Sequence, residues 1–239
     1  GRNVAIDTLV SAPSGSIVVQ ASGAATTGVT VGAGQLDVHG VTRNFGSGHA
    51  YTPGGTVVLD GGAAAVTLGA QSVVNVSAKG ADAGSVQVTA AHAQNGAFNM
   101  QGQLLGAADA AADSGLARAP LQGSFSLDVG HIENALAFDT LNAKLNAAGM
   151  TESREVRVRQ GDVTLSASGR MQSHEISVAV DRGNLTVAGE MDARGAQGGR
   201  IELYASQAQV AVVVTEEPVI EKPVVQTPAP APAPASGRS

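Results

Sequence analysis

The sequence predicts an all-β protein, a solenoid of short strands, and three observations predict it. The first is a five-residue pattern of glycine, polar or small, apolar, any, apolar. It reads GSIVV at Gly15, GQLDV at Gly34, GTVVL at Gly55, GSVQV at Gly84 and GAFNM at Gly96, then GSFSL at Gly123, GDVTL at Gly161, GNLTV at Gly183 and GRIEL at Gly199. Apolar residues two apart bury one face of a strand, and a repeated unit with one such face buries it by stacking on its neighbour. The second is a self-match at 115 residues without a gap. Met191-Asp192-Ala193-Arg194-Gly195-Ala196 answers Val76-Ser77-Ala78-Lys79-Gly80-Ala81, and Gly199-Arg200-Ile201-Glu202-Leu203 answers Gly84-Ser85-Val86-Gln87-Val88. The third is composition: 14% charged, 3% aromatic and 31 glycines, which helical domains rarely show.

The nine pattern starts stand 19, 21, 29, 12, 27, 38, 22 and 16 residues apart, an imperfect repeat often near twenty. Nine or ten coils stacked about 4.8 Å apart predict a rod of roughly 45 Å. The unit at 183–205 reads as strand, turn, strand. Its turn, Asp192 to Gly199, carries glycine where positive φ is expected. Ile201 and Leu203 face inward in this reading, with Arg200 and Glu202 outside.

Taken in order, residues 1–38 read as strands at 4–6, 17–19, 29–31 and 36–38. The N-terminal residues Val4, Ile6, Leu9 and Val10 show no polar cap, so this end is expected to self-associate. Residues 39–54 break the rhythm with Arg43, Phe45, His49 and Tyr51, two of the chain's six aromatics among them. A loop raised on a rigid stack is a common place for binding, and these four are the candidate ligand contacts. The alternative is an insertion whose aromatics pack back on the stack. Strands resume at 56–59, 66–68, 73–76, 86–88 and 98–100, and the alanine-rich 106–120 reads as a loop.

After a strand at 125–129 the sequence predicts one short inserted helix near 135–148. Phe138, Leu141, Leu145 and Ala148 share a face, Asn134 can cap its start, and Gly149 sits at the left-handed position past its end. Residues 152–159 alternate charges around Val156 and Val158, and strands at 163–165, 176–180, 185–187 and 201–204 close the regular part, residues 1–214. Residues 215–239 are rich in Pro and Ala, without core residues, and read as a disordered, extended tail dispensable for folding.

Three stretches resemble the filamentous-haemagglutinin-type secreted adhesins of Gram-negative bacteria, the exoproteins of two-partner secretion. They are FDTLNAKLNAAG at 138–149, REVRVRQGDVTL at 154–165 and DRGNLTVAGEMDARGAQGGRIEL at 181–203. The resemblance covers the last third of the folded part in detail and the rest in repeat style. It implies a right-handed parallel β-helix, export through an outer-membrane partner, a secreted or cell-surface location and adhesion. The family's N-terminal export domain is not seen in these residues, and the start Gly1-Arg2-Asn3 reads as an internal or C-terminal segment or a mature product.

The chemistry sought beside this is sparse. A net charge of −6 argues against nucleic acid as a partner. No apolar run approaches the roughly 20 residues of a membrane helix. There is no cysteine, so disulfides and thiolate metal sites are unavailable. His39, His49, His92, His131 and His174 lack metal-ligand spacing, and no nucleophile elbow or phosphate loop occurs. Asp37, Asp60, Asp82 and Asp192 stand singly beside small residues. The reading is therefore a non-enzymatic segment, without catalytic residues, metal or cofactor, that binds a receptor or glycan on a host or neighbouring cell. The alternative is a polysaccharide lyase or hydrolase on the same fold, which needs carboxylates converging on one face. Ice binding wants threonine ranks, read here as out of register, and calcium binding a GGxGxD repeat that is absent.

Overall fold

The structure is a computed structural model and describes residues 3–22, 28–92, 94–133, 135–195 and 198–206. The Asn134 cap, the end of the expected regular part at 207–214 and the tail 215–239 lie outside the described residues. The fold is all-β with one helix, its strands stacked in parallel in a solenoid-like arrangement. The longest sheet has seven strands: Ser16–Gln20, Thr56–Asp60, Ser85–Ala90, Ser124–Val129, Ser153–Val158, Glu175–Val180 and Arg200–Ala205. All pair in parallel and in register, so Ser16, Thr56, Ser85, Ser124, Ser153, Glu175 and Arg200 form one continuous row.

Two shorter sheets run beside it. One holds Val4–Ile6, Val29–Val31, Val66–Leu68 and Phe98–Met100; the other holds Leu9–Ser11, Gln35–Asp37, Val73–Asn75 and Gln103–Leu105. Each of the first four coils thus contributes one strand to each of the three sheets. After a break both short sheets are taken up again as pairs, Val163–Leu165 with Leu185–Val187 and Arg170–Gln172 with Glu190–Asp192.

This layout corrects the expected period. The glycine pattern opens strands of all three sheets, so its spacing mixes strand-to-strand and coil-to-coil steps. First residues of successive strands in the long sheet stand 40, 29, 39, 29, 22 and 25 residues apart, giving seven coils among the described residues in place of nine or ten. The 115-residue match is real, because Ser85 and Arg200 lie in the same row. Small strands that the pattern does not mark escape a sequence reading: Leu9–Ser11, Ala78–Lys79, Gln103–Leu105, Ala108–Asp109, Arg170–Gln172 and Glu190–Asp192. The threonines are also less scattered than expected, since Thr30 pairs with Thr67 and Thr164 with Thr186.

Alternation fills the core. Val57, Leu59, Val86, Val88, Phe125, Leu127, Val156 and Val178 are buried inward residues of the long sheet, packed against Val29, Val31, Leu36, Val66, Leu68 and Val74 from the short sheets. Ile201 and Leu203 keep the predicted parity, opposite Ile176 and Val178, but each is 45% exposed. They belong to the last described strand of the sheet, with a neighbour on one side only. Val187, expected to be buried, is 39% exposed for the same reason. Gly195, Gly198 and Gly199 do not take the positive φ expected of them.

The helix spans Ala135–Ala147. It lies in the chain between two adjacent strands of the long sheet and takes the place of both short-sheet strands in the fifth coil. Phe138, Leu145 and Ala148 are buried and Leu141 partly so. Its end is a Schellman turn: Met150 N–H donates to Leu145 C=O at 3.0 Å, Gly149 N–H to Asn146 C=O at 3.2 Å, and Gly149 has φ +73°. A helix cannot pair with a strand edge through its backbone, so its side chains do so. Lys144 Nζ donates to the carbonyls of Met100 and Gln101, both at 2.8 Å. On the opposite side Asn146 Nδ2 donates to Arg170 C=O at 2.9 Å, and Ser166 N–H donates to Asp139 Oδ1 at 3.1 Å.

Arg154 departs from the expected pattern. It shares the inward parity of Val156 and Val158, pairs with Phe125 and Ile176, and is fully buried. Its guanidinium donates to Asn142 Oδ1 at 3.0 Å, Asn146 Oδ1 at 2.9 Å and Met150 C=O at 2.7 Å. All three acceptors are neutral. Burial lowers its pKa to about 10, so it remains cationic at neutral pH.

Candidate functional site

The four residues that the sequence marks as contacts lie on an antiparallel hairpin, Thr42–Asn44 with His49–Tyr51. Asn44 shapes its tip by accepting the Gly46 N–H at 2.7 Å, Gly46 has φ +84°, and Phe45 N–H donates to Gly48 C=O at 2.9 Å. At the base, Thr52 Oγ1 accepts the Val41 N–H at 2.8 Å and lies 2.5 Å from Ser14 Oγ, which ties the hairpin to the first coil.

Pairing separates the four. His49 and Tyr51 are two residues apart and share a face, with ring centroids 6.0 Å apart. Arg43 is opposite Ala50 and so occupies the other face, while Phe45, 68% exposed, stands at the tip. Tyr51 lies down on the stack because Gly80 has no Cβ, which would otherwise stand 2.6 Å from the ring.

A fifth residue, Asp113, completes the site from the loop at 106–120. Its Oδ1 accepts the Tyr51 hydroxyl at 2.5 Å and its Oδ2 is 2.7 Å from His49 Nδ1. The Tyr51 hydrogen bond, then the His49 one, holds the Asp113 carboxyl below the usual carboxylate range. The same bond to Asp113 pushes the Tyr51 hydroxyl above its ordinary value. Further along the loop, Arg118 grips Asp82 through two bonds of 2.9 and 2.7 Å, and Leu121 N–H donates to Asp82 at 2.8 Å. The two loops therefore form one surface. No spacing rule joins residues 62 and 64 apart in sequence; the alanine-rich composition around Asp113 gave no signal.

Compared with protein-family models, curated proteins and solved structures, the chain finds no match.

The other carboxylates have local work. Asp37 bonds the His39 ring at 2.7 Å, Asp60 accepts the Gly62 N–H at 2.8 Å, and Asp192 holds Arg194 at 2.7 and 2.5 Å. No group of three or more His, Asp or Glu residues among the described residues is arranged to hold a metal. No helix of the described residues is long and apolar enough to cross a membrane. The clasp spends the Tyr51 hydroxyl and one His49 nitrogen on Asp113. What it offers a partner is the Phe45 ring, the remaining edge of His49 and, from the other face, the Arg43 guanidinium. Those groups suit contact with a sugar or a protein surface.

Proposed function

We propose that the chain is an adhesive segment of a secreted bacterial surface protein of the filamentous-haemagglutinin type. In this reading the stacked strands are a right-handed parallel β-helix, a stiff spacer that reaches the cell surface through an outer-membrane export partner. The observation that carries it is the composite loop surface: a hairpin and a second loop, from different coils, clasped through Asp113 on the flank of a stack whose interior is filled with side chains. A rigid aromatic tip on a fixed platform reduces the ordering cost of binding. The ligand class is a receptor protein or glycan on a host or neighbouring cell.

The test is a double substitution, Phe45→Ala with Arg43→Ala, at exposed sites that leave the clasp intact. Purified protein is scored for attachment to cultured cells and to an array of glycans. Attachment should fall about tenfold or more while circular dichroism and thermal midpoint stay unchanged. Turnover of a polysaccharide by the purified chain, abolished by one carboxylate substitution, would replace this reading with the enzymatic one.

A further inference from the structure

A slot runs beside the helix where a strand of the first short sheet is missing. The fifth coil starts along the path of such a strand: His131 N–H donates to Gly96 C=O at 3.0 Å. It then turns into the helix, which leaves Phe98–Met100 as the last strand of its four-stranded sheet. On that strand the odd-numbered groups face the inner neighbour, since Ala97 C=O accepts from Val66 N–H and Gln101 N–H donates to Leu68 C=O. The even-numbered groups face the slot. Lys144 takes the Met100 carbonyl. The Phe98 carbonyl, the Phe98 N–H and the Met100 N–H have no partner among the described residues.

The slot is a cavity of about 320 Å³. Its floor is Leu127 and Val129, its walls are Phe98, Ile132 and Leu141, and Glu133 and Thr140 stand at its mouth. A cavity with an apolar floor, flanked by a strand edge with three backbone groups unpaired among the described residues, is the arrangement that accepts an added strand.

We propose that this slot binds a short extended peptide, added in parallel to Phe98–Met100. The central ligand residue would donate its N–H to the Phe98 carbonyl and accept the Met100 N–H. That repeats the register of every other coil. Alternation then turns its two neighbours inward over Leu127 and Val129, so the recognised sequence is apolar, any, apolar. Val66-Thr67-Leu68 and Val163-Thr164-Leu165 of this chain have that form in equivalent positions. The inference does not rest on the adhesive reading.

The probe is the blocked tripeptide N-acetyl-Val-Thr-Val-N-methylamide, titrated into the full chain while backbone amide resonances are followed. Saturable shifts at the Phe98 and Met100 amides are expected. An analogue with an ester in place of the threonine amide lacks the N–H for the Phe98 carbonyl and should bind about fivefold or more weakly. Ala137→Phe, which fills the slot from the helix side, should abolish the shifts. The ester comparison uses the unsubstituted chain and stands even if that variant fails to fold. Absence of saturable shifts, equal binding of ester and amide, or equal binding of N-acetylglucosamine would each overturn the proposal.

Discussion

Arg154 stands in a row of Val57, Val86, Phe125 and Ile176, and it is the one charged member of that row inside the stack. A buried cation needs partners for its donors, and here two helix asparagines and the Met150 carbonyl take both terminal nitrogens, while Nε has no partner among the described residues. Asn142 also donates to Phe138 C=O at 2.9 Å, and Asn146 Oδ1 also accepts the Gln172 N–H at 3.2 Å. The cluster therefore ties the long sheet, the helix and the strand Arg170–Gln172 together. Removing an acceptor leaves a charge underserved; removing the charge leaves neutral amides underserved. Asn142→Leu is accordingly expected to cost about 3 kcal/mol or more. Arg154→Met, which fills the same space with apolar atoms, should cost about 1–3 kcal/mol. Denaturation midpoints compare them, and the reverse order would refute this account of the cluster. The parity of Arg154 with Val156 and Val158 was legible in the sequence. Its burial was not, because its partners come from a helix eight and twelve residues upstream.

At the scale of elements, the hairpin and the loop at 106–120 are joined by one carboxylate, and the linkage has a definite sign. Asp113 is lowered by Tyr51 and His49, so its contribution is present above the unfolded carboxylate value near about 3.9 and is lost as pH falls through the folded value. Tyr51 is raised, so its contribution is present below about 10 and is lost as pH rises through the folded value. The clasp is expected to hold between these limits and open beyond either. Limited proteolysis at 106–120 across pH should be slow at neutrality and faster at both extremes. Asp113→Asn should weaken the acid-side dependence; unchanged cleavage in that variant at every pH would show that the clasp does not order the loop. The sequence marked both segments as loops and named the four hairpin residues as candidates, because aromatics and a histidine interrupt a glycine-rich rhythm at 39–54. Asp113 stayed hidden among alanines, and the split of Arg43 from His49 became visible only with the hairpin register.

At the scale of the molecule, the long sheet runs through seven coils, and burial falls toward the last described one. Leu127 and Leu203 hold the same inward position three strands apart, at 2% and 45% exposure. Leu127→Ala should cost about 2–5 kcal/mol, and Leu203→Ala less than half as much. Equal shifts in denaturation midpoint would mean that Leu203 is covered after all. Strand parity was readable along most of the chain because Val, Ile and Leu alternate with Ser, Thr and Gln. Coil length was not, since one glycine pattern serves three sheets. The break in the short sheets also bears on how the stack carries tension. Backbone bonds between coils lie along the stacking direction, so a pull from end to end loads three ladders in parallel through the first four coils. At the fifth coil only the long sheet continues, and the other two ladders give way to the side-chain links of Lys144, Asp139 and Asn146. Load that three backbone ladders shared falls at this coil on one ladder and a few side-chain links, which makes the fifth coil the mechanically weakest step among the described ones.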